Sequence, residues 1–215
     1  MQRKWKIVLF ISISLIVIVG GFLGIAKLLN YIKYNKPPEI ESEADPPILE
    51  FIFENTSLIS KLEGYGYLGS SFHNGIDFFI NATAKIIVPY NMTVTEVVLV
   101  YLENADHWAV RTSYIINKDY YLIIGFESFA RNETFGNIQL DSIIIELNQE
   151  ITQSQLIGEL LIHEPSAHIH FGLYKGVDDV CPYQYFSAEA KAIFDAIWLE
   201  CHLGDNPCNI TAITS

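Results

Sequence analysis

"SAHIHFGLYKG", residues 166–176, places two histidines two positions apart in a run of β-forming residues. On an extended strand successive side chains leave opposite faces, so His168 and His170 point the same way. The runs before it have the same character: "ILEFIF", "IDFFI", "AKIIVP", "TVTEVVLVY", "WAVRTSYII", "DYYLIIGF", "SIIIEL" and "QLIGELLI" are short stretches of branched and aromatic residues. Asn, Asp, Gly, Pro and Ser separate them, and no helical spacing intervenes. This predicts a mainly β fold, an antiparallel sheet sandwich or open barrel-like domain. One helix is expected at its C-terminal end, capped by Ser187 and stopped by Gly204. Within "AEAKAIFDAIWLECH", Ile193, Phe194, Ile197, Trp198 and Cys201 form a stripe at helical spacing, as a helix packed on a sheet requires.

Ahead of this domain the composition changes. The stretch "IVLFISISLIVIVGGFLGIA" begins at Ile7 and carries no charge; as a helix it would rise about 30 Å, the thickness of a bilayer's hydrocarbon core. A cleaved signal peptide is the rival reading, but its apolar region usually runs about 7 to 15 residues and ends in a small-x-small site. The expected layout is a cytoplasmic tail over 1–6, a transmembrane anchor over 7–29 and a stalk over 30–47. The β-rich domain follows over 48–186, then the C-terminal helix and tail over 187–215. The stalk, "NKPPEIESEADPPILE", is Pro-rich and acidic, so it stays extended.

Lysines and arginines flank the span on both sides and leave its orientation open. The acceptor triplet N-x-[ST] decides it: Asn55, Asn81, Asn91, Asn132 and Asn209 each begin one, all beyond the span. The Asn, Ser and Thr content predicts about 1.4 such triplets by chance, so the excess favours an exported glycoprotein. The expected location is the cell membrane, single-pass, with the C-terminal domain extracellular. All 25 acidic residues but only 7 of the 13 Lys and Arg lie beyond position 36. Such a surface repels nucleic acid and suits a neutral or cationic partner. Three cysteines, Cys181, Cys201 and Cys208, allow at most one internal disulfide, with the pairing open.

A second motif completes the histidine pair. "HNGID", residues 73–77, sets His73 and Asp77 on one face of an extended chain, with Gly75 allowing a turn or a close approach. Two imidazoles and one carboxylate are a common ligand set for catalytic zinc, which leaves a fourth position open. "HNGID" followed far downstream by "HIHF" resembles the H-x-G-x-D and H-x-H signatures of the lysostaphin-like zinc endopeptidases, which cleave peptide cross-links of bacterial cell walls. "GYGYLGSSFHNGID" is similar to the family's approach to its first motif, and "NQEITQSQLIGEL" to the turn before its last strands. The resemblance covers about residues 64 to 186.

It implies that His73, Asp77 and His170 hold Zn2+ and that His168 is catalytic. Zinc would polarise a peptide carbonyl and make water more acidic while a nearby base takes the proton. The implied partner is a peptide or cell-surface polymer substrate.

Two departures qualify this. Where the family carries a further catalytic histidine in a strand ending Y-x-H-L, this chain has Glu127, which can serve as general base. "LIHEPSA" replaces the Gly- and Ser-rich loop before H-x-H, which makes His163 and Glu164 possible substitute bases. The alternative is a catalytically inactive peptide-binding or regulatory ectodomain of the same fold, since fold does not fix function. A cupin-like zinc enzyme also uses H-x-H, but expects a further carboxylate and histidine downstream, where only Glu189, Glu200 and His202 of the terminal helix are available.

Overall fold

Alternation of buried and open positions turns the aromatic and branched runs into sheet. β8 (Tyr120–Ala130) and β11 (Ala167–Lys175) show it most clearly. Leu122, Ile124 and Phe126 of the first, and Ile169, Phe171 and Leu173 of the second, are fully buried on one face. In the computed structural model, which describes residues 43–68, 71–163, 166–202 and 206–208, these strands lie at the centre of an eight-stranded antiparallel sheet.

The other members are β1 (Ile59–Glu63), β4 (Ile76–Ile80), β6 (Met92–Leu102), β7 (His107–Ile115), β9 (Glu150–Ile151) and β12 (Asp178–Val180), in the order β1-β4-β11-β8-β7-β6-β9 with β12 added to β11. Two ribbons stand apart: β2 (Gly66–Leu68) with β3 (Ser71–His73), and β5 (Ala84–Ile87) with β10 (Leu156–Leu160).

The expected C-terminal helix is present. Ala188–His202 forms an α-helix whose first turn is capped by Ser187 Oγ, which accepts from the Ala190 amide at 3.0 Å. Of the predicted stripe Phe194 and Trp198 are buried, with Ala190 beside them, while Ile193, Ile197 and Cys201 are half-buried, and Phe194 packs edge-on against Phe78 of β4. Phe51, Phe53 and Phe186 complete this side of the core.

Three expectations are corrected. Glu133–Asp141 is a helix, α1 (the C-terminal helix is α2), where only strands were expected. Its cap is Asn132, whose Oδ1 accepts from the Phe135 amide. Gly136 hides it in the sequence, because a mid-helix glycine weakens the pattern; a Cβ there would meet Trp108 Cβ at 2.8 Å, so the glycine lets the helix lie on β7. "SIIIEL" forms no strand and meets the β5–β10 ribbon through a single bridge from Ile143 to Gly158. "ILEFIF" likewise pairs only at Leu49 and Phe53. Cys181 bonds Cys208, leaving Cys201 as a half-buried free thiol. The expected membrane anchor, residues 7–29, lies outside the described residues, among which no helix is long and apolar enough to cross a membrane.

Candidate metal centre

Sheet register brings the two motifs together. On β11, His170 sits opposite Asp77 of β4 on one side and Gly125 of β8 on the other. Two residues earlier, His168 sits opposite Phe79 and Glu127. The period of two puts all these side chains on the face away from the apolar core. His73 ends β3, and the short turn through Asn74 and Gly75 delivers it beside Asp77. A Cβ on Gly75 would lie 2.6 Å from His170 Cε1, so the glycine is the space into which that ring fits.

Asp77 is the hub. Its Oδ1 lies 2.9 Å from His170 Nδ1 and 3.2 Å from His73 Nε2, and its Oδ2 lies 3.7 Å from His168 Nε2. His73 Nδ1 donates to the Gly64 carbonyl at 2.7 Å, which fixes the ring and turns Nε2 toward the carboxylate. That Nε2 is buried and lacks an aligned hydrogen-bond partner among the described residues. One donor atom each from His73, Asp77 and His170 lies within 4.8 Å of the others.

The electrostatics fit a cation at this point. Burial pushes the Asp77 carboxyl upward, but the His170 and His73 rings and the charge on His168 outweigh it and hold it well below the usual carboxylate range. Burial opposes protonation of His73, yet the carboxylate beside it wins and raises its pKa. The cluster thus attracts positive charge between its nitrogens and Asp77. Two nitrogens and one oxygen suit zinc, and an orphaned buried imidazole nitrogen beside a carboxylate fits a metal ligand.

Glu127 adjoins this cluster. Its Oε2 lies 3.3 Å from His168 Nε2 and 2.8 Å from His107 Nε2. Burial raises its pKa, but the bonds to His107 and His168 prevail and hold it down to about 2, an ionised carboxylate. His168 moves the other way: burial lowers its pKa, while Glu127 and Asp77 together raise it.

Sequence reasoning gave His107 no role, because its link to Glu127 depends on a bulge. Trp108 pairs with Ala130 and Val110 with Phe126, so Ala109 faces three residues, Glu127 to Phe129. Phe129 is thereby driven to φ 55°, an unusual conformation for a bulky residue. Together with Tyr101, Leu102 and Ala105 it walls an open groove whose floor is the histidine cluster.

His163 is exposed and packs on the Phe135 ring, 3.6 Å between centroids, and does not line the groove. Glu164 lies outside the described residues. Of the sequon asparagines, Asn55, Asn81, Asn91 and Asn132 are exposed, and Asn209 lies outside the described residues.

No protein-family model matches the chain, and neither does any curated protein. Among solved structures it is similar to a chain of the SpoIIQ–SpoIIIAH pore-forming complex, with 13% identity over 71% of this chain and 99% of that one and a TM-score of 0.49. It is also similar to the catalytic domain of the prophage-encoded M23 protein EnpA from Enterococcus faecalis, with 18% identity over 59% and 88% of the two chains and a TM-score of 0.43. Lysostaphin gives 15% identity over 74% of this chain and 59% of that chain, with a TM-score of 0.46. At scores below 0.5, the reading of the site rests on its own geometry.

Proposed function

We propose that this chain is a membrane-anchored, extracellular zinc metalloendopeptidase-like protein acting on peptide bonds of cell-wall or surface peptides. The observation that carries the proposal is the clustering of His73 Nε2 and His170 Nδ1 around Asp77 Oδ1, at 3.2 and 2.9 Å, with His168 and Glu127 beside them on the floor of an open groove. Zinc held there would supply a Lewis acid for the peptide carbonyl and make water more acidic. The chain's own residues do the rest. His168 holds a proton at Nε2 between Glu127 and Asp77, where it can pass to a developing oxyanion or leaving nitrogen. Glu127 orients that imidazole and stabilises its charged form. Tyr101 and Phe129 offer apolar walls to an extended peptide.

One observation favours the second reading, a peptide-binding ectodomain without turnover. Glu127 Oε2 is engaged by both His107 and His168, so it is less free to take a proton from water than a general base needs to be.

The test uses zinc content and hydrolysis of Gly-rich and cell-wall peptides. His73→Ala, Asp77→Ala and His170→Ala should each abolish stoichiometric zinc, while His168→Ala keeps zinc and loses cleavage. Full zinc in all three ligand variants would end the assignment; binding without cleavage by the zinc-loaded wild type selects the second reading. Membrane anchorage predicts that protease added to intact cells digests the β-rich domain and spares the first six residues; a protected domain would reverse the orientation.

A further inference from the structure

We propose that His107 is a positioning residue: it clamps the Glu127 carboxylate so that Glu127, in turn, holds His168 Nε2 beside the ligand cluster. This rests on the reading above, in which His168 is the proton donor and Glu127 orients it.

The geometry is that of a relay built from the wall of the groove inward. His107 stands at the start of β7, only 4% exposed, immediately after the hairpin turn that forms the groove wall. Its Nδ1 lies 3.1 Å from the Ala105 carbonyl oxygen. The ring thus lies between two acceptors, and the shorter contact, to a carboxylate, is the one from Nε2 to Glu127 Oε2 at 2.8 Å. The same Oε2 then reaches His168 Nε2 at 3.3 Å.

The bulge gives independent support. Phe129, at φ 55°, stands edge-on to His107 with 5.1 Å between ring centroids, and lies 5.1 Å from His168. Backbone strain of this kind persists where the surroundings over-determine it, and here it seals both imidazoles around one carboxylate. A histidine that merely filled space would need neither a ring held between two acceptors nor the aligned carboxylate.

The experiment uses the full chain, metal-free and 15N-labelled at histidine. His107→Phe keeps a ring and removes both nitrogens; His107→Gln returns a donor toward Glu127. Replacement by Phe should move the His168 imidazole resonances, and Gln should restore most of the shift, because Glu127 stands between the two rings. Zinc uptake should stay within about twofold of wild type in both, since His107 is not a ligand. With zinc added, kcat for peptide cleavage should fall about 10- to 100-fold in the Phe variant, with KM within about twofold, and recover in the Gln variant.

Unchanged His168 resonances in a folded Phe variant would overturn the proposal whatever the activity. A shift in those resonances, in a chain whose zinc-loaded wild type cleaves nothing, would leave the positioning intact and remove the hydrolase reading. Should the Phe variant fail to fold, Glu127→Gln must move the resonances of both histidines, and movement of neither overturns the proposal.

Discussion

Gly75→Ala isolates the metal centre from the rest of the fold. A methyl group at residue 75 would stand 2.6 Å from His170 Cε1, 2.8 Å from His170 Nε2 and 2.8 Å from the Phe171 carbonyl oxygen. Ordinary contact begins near 3.4 Å, so the His170 ring must yield by 0.8 Å, and the Phe171 contact, being backbone, cannot swing aside. Ligand distances in a metal site tolerate only about 0.2 Å, so the displacement is several times what the ligand set can absorb. The expected loss is about 10- to 100-fold in zinc affinity, or about 1.4 to 2.7 kcal/mol. It should be read by chelator competition and by the zinc-induced rise in Tm, which should shrink by about 3 to 10 °C. The control is Gly172→Ala, whose added methyl group would meet nothing closer than 3.4 Å although it also faces His170 Nε2 at 3.6 Å. Equal zinc affinity in wild type and the Gly75 variant would refute the claim that this glycine exists to admit the ligand ring.

Other expectations follow from the same structure. Gly136→Ala would put a methyl group 2.8 Å from Trp108 Cβ and 3.0 Å from Leu99 Cδ1. Overpacking should outweigh the better helix propensity and cost about 1 kcal/mol in denaturant unfolding, with zinc uptake unchanged. Cys208→Ser opens the loop of sequence separation 27 closed by the disulfide. That should lower stability by about 3.5 kcal/mol and Tm by about 10 °C, with Cys201→Ser, which breaks no bond, as the control. In the metal-free protein, Glu127 titrates at about 2 when folded, against an ordinary value of 4.5. Its depressed pKa makes a stabilising contribution that is complete above pH 4.5 and lost as pH falls toward 2. Unfolding by urea at stepped pH should therefore show a shallower acid loss for Glu127→Gln than for wild type; parallel profiles would contradict the buried contacts to His107 and His168.

Much of the fold is legible because sheet alternation leaves a direct trace. The run "AHIHFGLYK" reads as a strand from composition alone, and its two faces separate cleanly into His168 and His170 against Ile169, Phe171 and Leu173. Helix α1 is not legible in this way. Its stripe is interrupted by Gly136, present for contact with Trp108, and its one clear sign, Asn132 as cap, coincides with a glycosylation triplet that offers a different explanation of the same residue. "SIIIEL" fails for the opposite reason: its composition is that of a strand, yet its pairing amounts to one bridge at Ile143, and Ile144 and Leu147 remain exposed. Propensity describes what a segment tolerates, while pairing depends on which edge is free.

The candidate site divides along the same line. His168 and His170 are visible because their spacing fixes a shared face, whereas His73 and Asp77, expected on one extended face, come together through the turn at Asn74 and Gly75 between two strands. Glu127 required an alignment of one strand against an expected pattern, and the register that sets it opposite His168 gives that alignment a physical basis. His107 is different in kind. Counting twos along β7 and β8 from the regular pairs beyond Val110 would not lead to its contact with Glu127, because the extra residues of the bulge reset the phase before the strand begins. The same irregularity that conceals His107 from the sequence turns it toward Glu127. The carboxylate that departs from the family pattern is therefore joined to a histidine that the pattern does not include. Glu127 is thus held from two sides, by His168 on the neighbouring strand and by His107 at the hairpin wall, whose own ring is placed by the Ala105 carbonyl.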